Sequence, residues 1–395
     1  MTPSSKERDG PARVAIVGAG VSGLGIGWRL AQAGISVDVF ERGVAGSGAS
    51  DAAAGMLAAG VECEPGEEAL LALTLLGRKL WPAFRDELEE VSGQEIGYRD
   101  DGTLVVAPTQ DDARRLRFLT EFQQGLGLEL DWLTGSEARR LEPHLKPGIA
   151  GAVLSAADHQ VDNRKLVQAL KLAFAHAGGR LHEGCEVTGL VVRGDRVSGL
   201  DLGDEEHEAD AVVLAAGAWS RLLPGLPEDD KPPVRPVKGQ MLALDMDPAR
   251  PLLERVLWAP GVYLVPRRDG RLLIGATVEE QGFDENLTAG GLYALLEATW
   301  RVLPAIEDLP VAETWVGFRP TSRDDAPILG PGRLEGLWHA TGHHRNGILL
   351  APVTAAAISD ALLGREAMPE IAPFGLERFA VPAGAALKAV VGGRS

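Results

Sequence analysis

No apolar run in this 395-residue chain approaches the roughly 20 residues needed to cross a bilayer. The longest, such as Ala211 to Ala218, have the length of a strand, so no membrane partner is expected. The first ten residues, MTPSSKERDG, are polar and lack the apolar core of a signal peptide. The expected location is therefore the cytoplasm. Cysteine is scarce: only Cys63 and Cys185 occur, and neither sits in a CxxC pair. That argues against a zinc ribbon or a thioredoxin-like site. Two such thiols suit a reducing compartment, where they act as small buried apolar groups. Long basic runs are also missing, and the formal net charge of −17 repels phosphate, so a nucleic-acid partner is not expected. A local cationic pocket for an anionic substrate remains compatible with that charge. There is no internal repeat. What is present is ordinary globular material, 45 % hydrophobic and 24 % charged, at a length that suits two packed domains.

The strongest local signal is Gly18-Ala19-Gly20-Val21-Ser22-Gly23, placed between an apolar strand (Arg13 to Gly18) and a helix (Leu24 to Ala33) that Gly34 ends. Gly18 allows the tight turn, Gly20 lets a pyrophosphate approach the backbone, and Gly23 lets helix and strand pack closely. The helix start offers N–H groups and a positive dipole end to phosphate. Glu41 follows 18 residues after Gly23, at the end of a second strand (Val37 to Glu41). There its carboxylate suits ribose hydroxyls. Glycines plus acid in a βαβ unit point to a dinucleotide without separating NAD from FAD.

Three further segments fit the same ligand. Gly46 to Met56 is built of small residues, as either a flexible loop or a loop pressed against a flat ring. Asp210 to Ser220 carries a buried strand into Gly217, a point of close approach to a ligand. Trp338 to Pro352 runs from a strand through His343 and His344 into a helix expected from Gly347 to Leu363. Adjacent histidines make a poor metal site, since neighbours rarely ligate together. Elsewhere, Glu67 to Val91 predicts a helix interrupted near Pro82. Residues Arg164 to Gly178 and Gly290 to Leu303 predict helices. Val234 to Leu244, Gly261 to Pro266, Arg271 to Thr277 and Trp315 to Arg319 predict strands. The fold class expected is α/β, α+β overall: a Rossmann-like nucleotide domain from separate segments, 13–88, 161–223 and 319–378. An antiparallel β-rich substrate domain fills 89–160 and 224–318. Residues 1–12 and 379–395 read as loose tails.

Five ordered motifs, AAAGML (Ala52 to Leu57), PVKGQ (Pro236 to Gln240), YLVPR (Tyr263 to Arg267), GFRP (Gly317 to Pro320) and GHHRNGILLAP (Gly342 to Pro352), together with the glycine turn, carry a resemblance. The chain resembles the D-amino-acid oxidase superfamily of flavoproteins, and within it the glycine oxidase group of the thiamine pathway, from about Arg13 to Phe379. The resemblance implies FAD, with contacts at Gly18, Gly20, Val21, Ser22, Gly23, Glu41, Arg42, Ala49, Ser50, Ala54, Gly55 and Met56. It also implies Val187 at the adenine and Gly217 nearby. His343, His344, Arg345, Asn346, Gly347, Ile348 and Leu349 would hold the isoalloxazine, with the following helix start facing its N1–C2=O side. Sister enzymes tether flavin through a cysteine close to the arginine motif. Gly317-Phe318-Arg319 has none, so the implied flavin is non-covalent.

On the substrate side the resemblance gives Arg319 the substrate carboxylate, Tyr263 a hydrogen bond to that carboxylate or a gating role, and Arg345 a second place in the pocket. A guanidinium fork suits two carboxylate oxygens. Two positions depart from the family pattern: Gly261 stands where a pocket histidine is usual, and Val278 where a methionine is. Both changes make room and weaken a strict preference for glycine. The implied reaction is oxidative deamination of glycine, sarcosine or a small D-amino acid by O2. Its products are the 2-oxo acid (glyoxylate from glycine), ammonia and hydrogen peroxide. A homotetramer is implied by the family alone. The alternatives are a D-amino-acid dehydrogenase passing electrons to a quinone, a sarcosine-type N-methyl amine oxidase, and a non-catalytic nucleotide-binding protein.

Overall fold

A computed structural model describes residues 10–380. The greater part of both expected loose tails lies outside the described residues. Ala12 and Arg13 are tied down, their N–H groups donating to Asp210 Oδ2 at 3.0 and 2.8 Å. Phe379 closes a 3-10 turn, Leu376–Phe379, with the Arg378 guanidinium over its ring at 4.2 Å.

The first large sheet has six strands in the order Ile328–Pro331, Leu337–Thr341, Ala211–Leu214, Arg13–Val17, Ser36–Glu41 and Arg180–Glu183. All neighbours run parallel except the first pair. Arg13–Val17 lies in the middle with a partner on each side, which explains its uninterrupted apolar run: Val14 to Val17 are all buried. Helix Val21–Gln32 follows and packs against helices Asn163–His176 and Ala351–Leu362.

The second large sheet has eight strands. Its order is Val311–Thr321, Arg235–Asp245, Arg271–Gly275, Val262–Pro266, Val256–Ala259, Thr103–Ala107, Gly151–Ser155 and Asp131–Leu133. It is antiparallel except between Val256–Ala259 and Thr103–Ala107. Side chains alternate across it, as the two-residue period of a strand requires. Leu242 and Leu244 pack with Leu295 and Ile306 under helix Ala289–Trp300. Met241 and Ala243 face the other way, towards Ala54 and Met56. Strand Val311–Thr321 runs unbroken through the division expected at 318/319, so Arg319 stands on this sheet.

Two sequence expectations are corrected. The helix expected to break near Pro82 is continuous over Glu68–Ser92. A mid-helix proline costs about 3 kcal/mol. Here Pro82 lies on the exposed face, and Leu73, Trp81, Phe84 and Leu88 hold the other face in the core. The helix expected from Gly347 begins at Ala351. Residues 347–350 form turns instead, Leu350 N–H donating to Asn346 O at 2.8 Å and Ala351 N–H to Ile348 O at 3.2 Å.

Candidate active site

The glycine turn opens the site. Gly18 has φ +101°, and a Cβ there would fall 2.5 Å from Ala215 O. Gly23 allows close packing, since a Cβ would fall 2.0 Å from Gly18 O. Glu41 braces the turn: Oε2 accepts from Ala19 N–H at 3.0 Å and Oε1 from Gly43 N–H at 3.1 Å. Val21 N–H donates to Ser50 Oγ at 3.1 Å. Arg42 lies over the Trp219 ring at 4.2 Å.

The small-residue segment 46–56 is not a flexible loop. Ala49–Ala52 is a short helix, and three side chains pin carbonyls of the segment from outside. Asn163 Nδ2 donates to Ser50 O and Asp51 O, both at 2.8 Å. Trp315 Nε1 donates to Ala52 O at 3.1 Å. Arg267 Nη2 donates to Ala54 O at 2.9 Å. Small residues are needed because the wall is close: a Cβ on Gly317 would fall 2.4 Å from Ala52 Cβ.

Between the two sheets runs a cavity of about 1090 Å³, just above the usual range for small-molecule sites. One end is lined by Gly18, Gly20, Val21, Ser22, Glu41, Arg42 and Val187. Ala49, Ser50, Ala54, Gly55, Met56 and Gly217 line it further along. The other end holds Tyr263, Arg319, His343, His344, Arg345, Gly347 and Ile348. Three expected contacts do not line it. Gly23 lies behind the turn. Asn346 N–H donates to His343 O at 2.9 Å within its own turn. Leu349 is buried, its carbonyl accepting from Trp81 Nε1 at 2.9 Å. Gly261 and Val278 both line the cavity, and Val278 is 72 % exposed.

At the far end Arg319 Nη1 donates to Thr277 O at 3.1 Å, and among the described residues no carboxylate pairs with its guanidinium. Tyr263 stands beside it, its hydroxyl 3.7 Å from Met241 Sδ. Burial raises the phenol above its ordinary pKa against the opposing pull of Arg319. The histidines diverge: His343 Nε2 meets Thr354 Oγ1 at 3.0 Å, and His344 Nδ1 meets Thr321 Oγ1 at 2.9 Å. Burial lowers His343 to about 4. Burial, then Arg345 and Arg319, lowers His344 to about 3. Both are neutral at pH 7. Among the described residues no cluster of three or more His, Cys, Asp or Glu is arranged to hold a metal ion.

Arg345 does not present a free guanidinium. Its Nε lies 2.9 Å from Glu62 Oε2 and its Nη2 lies 2.7 Å from Glu67 Oε2. Glu62 itself lines the cavity, and the sequence analysis did not single it out. The available signal was one acid in an otherwise apolar and small stretch, AAGVEC at Ala58 to Cys63. Burial, opposed by Arg345, raises Glu62 from 4.5 to about 7. Lys238 was missed as well. It is fully buried, its Nζ bonded to Asp284 Oδ2 at 2.5 Å and Asn286 O at 2.6 Å. It thereby fastens the segment that follows Val278 at the cavity rim.

The donor set fits a flavin dinucleotide. Glycine backbone approaches at Gly18 and Gly20, an acid closes the second strand, and a small-residue wall faces a volume too long for one amino acid. The pattern of the FAD dependent oxidoreductase family matches residues 13–361. The glycine oxidase of Geobacillus kaustophilus is 41 % identical over 371 residues, covering 92 % of this chain and 96 % of that protein. Its crystal structure superposes with a TM-score of 0.88, covering 94 % of this chain and all of that one. The bifunctional protein ThiO/ThiG of Synechocystis is 39 % identical across 93 % of this chain, which spans 54 % of that longer protein. On the matched pattern and on a cavity shaped for the cofactor, the chain belongs to the family of FAD dependent oxidoreductases.

Proposed function

We propose that the protein is a glycine oxidase. It converts glycine, O2 and water to glyoxylate, ammonia and hydrogen peroxide, and also accepts sarcosine and small D-amino acids. The observation that carries this reading is Arg319: a guanidinium with no carboxylate partner among the described residues, beside Tyr263, in the wall of the cavity that the glycine turn opens. Similarity to glycine oxidases over nearly the whole chain supports it. The relatives named ThiO/ThiG support a place in making the thiazole of thiamine.

FAD, when bound, supplies the acceptor for the hydride from Cα and the site where O2 becomes peroxide. The protein's own part is placement. Arg319 anchors the substrate carboxylate through the N–H groups not given to Thr277, and the Tyr263 hydroxyl adds a second contact. Fixing the carboxylate fixes the direction of the Cα–H bond, which contributes several kcal/mol to lowering the barrier. The amine must be neutral for its lone pair to assist hydride departure. Water then hydrolyses the imine product. Gly261 and Val278 leave space beside Tyr263 for an N-methyl group or a small side chain.

Non-covalent binding is part of the proposal. Cys63 is buried, and Cys185 borders the Glu41 end, its N–H donating to Glu41 O at 2.9 Å. Both thiols are free, which supports a reducing, cytoplasmic setting. Among the described residues no helix is long and apolar enough to cross a membrane. Assembly as a homotetramer belongs to the same proposal and is read by light scattering.

The test is anaerobic bleaching of the bound flavin by glycine, sarcosine, D-alanine, D-proline and the L-forms, followed by peroxide assay in air. Glycine or sarcosine should bleach fastest. Preference for L-amino acids, or turnover without peroxide, overturns the reading. An Arg319→Ala protein that holds FAD yet turns over at full rate does the same.

A further inference from the structure

We propose that Glu62 is the group that takes the proton from the substrate's ammonium, converting it to the neutral amine that gives up hydride. The inference rests on the proposed amino-acid oxidation and names a residue for its unassigned proton step.

Geometry comes first. The Glu62 side chain is 10 % exposed and lines the same end of the cavity as Tyr263 and Arg319. The two residues before it are held by Asp158, which is fully buried. Gly60 N–H donates to Oδ1 at 2.9 Å and Val61 N–H to Oδ2 at 2.8 Å. Glu62 Oε2 lies 2.9 Å from Arg345 Nε as an ion pair, and among the described residues no well-aligned hydrogen bond reaches this buried oxygen.

Charge comes second. Arg345 already binds Glu67 through Nη2, at 2.8 and 2.7 Å to its two oxygens. Two carboxylates around one guanidinium leave one negative charge over. Asp158 adds repulsion across its own pair with Arg78 at 3.5 Å. Tyr263 lies within electrostatic reach of Glu62, whose charge helps keep the phenol neutral. The reacting end thus offers a cation for a carboxylate and surplus negative charge for an ammonium, which matches a zwitterion. Burial sets the Glu62 carboxyl at about 7, so at neutral pH it can accept a proton and release it again.

An N–H bond of the ammonium breaks, the proton bonds to the Glu62 carboxylate, and the electron pair stays on nitrogen. That pair becomes the second C–N bond as the Cα hydride leaves to FAD, the oxidant. The Glu62 proton returns to solvent as the imine departs.

The test is the pH dependence of anaerobic flavin bleaching by glycine, as the second-order rate constant, in wild type, Glu62→Gln and Glu67→Gln. FAD content is checked in each. Wild type should show one acidic limb near the Glu62 ionisation. In Glu62→Gln the limb should move towards the amine's own ionisation near pH 10. The rate should fall ~100-fold at neutral pH and recover at high pH. Glu67→Gln removes a like charge and leaves Arg345 to Glu62, so it should keep an acidic limb and move it to lower pH, the opposite direction to Glu62→Gln. A Glu62→Gln protein with an unmoved limb, or with an equal loss at every pH, overturns the inference while leaving the oxidase reading intact. Wild type that no amino acid bleaches overturns both. Should Glu62→Gln fail to load FAD, infrared difference spectra of wild type mixed with glycine decide: a protonated-carboxyl band must appear, and its absence rules out the role.

Discussion

A side chain on Gly239 would occupy the space that the Arg319 guanidinium fills: its Cβ would fall 2.8 Å from Nη1 and 3.1 Å from Nη2. The two residues lie on paired strands, where Gly239 faces Gly317 and Val237 faces Arg319. The glycine of PVKGQ and the arginine of GFRP therefore form one device. The missing side chain on one strand lets the guanidinium of the next lie across it.

Gly239→Ala should fold and load FAD, because its backbone is ordinary strand. It should push the guanidinium out of line. The expected outcome is a rise in the glycine dissociation constant of about tenfold or more, equal to about 1.4 kcal/mol. Anaerobic titration of the flavin spectrum measures it. An unchanged constant means that Arg319 does not grip the carboxylate.

Much of the nucleotide half was legible in the sequence because its constraints are local. Gly18, Gly20 and Gly23 serve a turn, an approach and a packing contact within six residues, and Glu41 closes the adjoining strand. The reacting end was less legible because its partners are remote. Arg345 reads as a free pocket arginine until the fold brings Glu62 and Glu67 to it from the other end of the chain. Lys238 reads as an ordinary strand lysine until Asp284 meets it. The turn at 347–350 is hidden because its Gly-Ile-Leu-Leu composition is compatible with a helix and only its hydrogen bonds distinguish the two.

Glu41→Gln tests the nucleotide end. The carboxylate accepts from Ala19 and Gly43 through separate oxygens, and an amide can accept only through one. Charge-assisted hydrogen bonds contribute about 1.5–3 kcal/mol each. Their loosening should weaken FAD binding by roughly 10- to 100-fold. Titration of apoprotein with FAD, followed by flavin fluorescence, reads the change. Unaltered affinity removes Glu41 from the cofactor site.

Arg267 is a buried cation that, among the described residues, forms no direct ion pair, although Asp162 and Asp269 favour its charge from a distance. Nη1 donates to Gln160 Oε1 and Val161 O, and Nη2 to Ala54 O and Asn163 Oδ1, all between 2.9 and 3.0 Å. Burial lowers its pKa to about 10, so it remains charged at neutral pH. A lysine cannot reproduce this fork. Arg267→Lys should lose about 3 kcal/mol or more of stability and release the Ala54 carbonyl, loosening FAD with it. Denaturant unfolding with and without FAD measures both effects. A variant as stable as wild type would show that the fork is not what fixes the 52–57 segment.

Glu62 also predicts how stability varies with pH. Its carboxyl ionises near 7 in the folded protein against an ordinary 4.5, because burial disfavours the charged form. The folded chain therefore holds a proton that the unfolded chain has already released. An acid raised on folding contributes most below about pH 4.5, and the contribution fades as pH climbs through 7. Over that window the wild type should lose on the order of 3 kcal/mol from this group. Glu62→Gln has no such proton, so its stability relative to wild type should rise between about pH 4.5 and 7 and stay level above. Arg345 pulls the other way by favouring the charged carboxylate, so Glu67→Gln, which leaves that guanidinium to Glu62 alone, should shrink the wild-type loss. Urea unfolding of the apoprotein across the window gives the three curves. Parallel curves for wild type and Glu62→Gln would mean that the carboxyl ionises near its ordinary value.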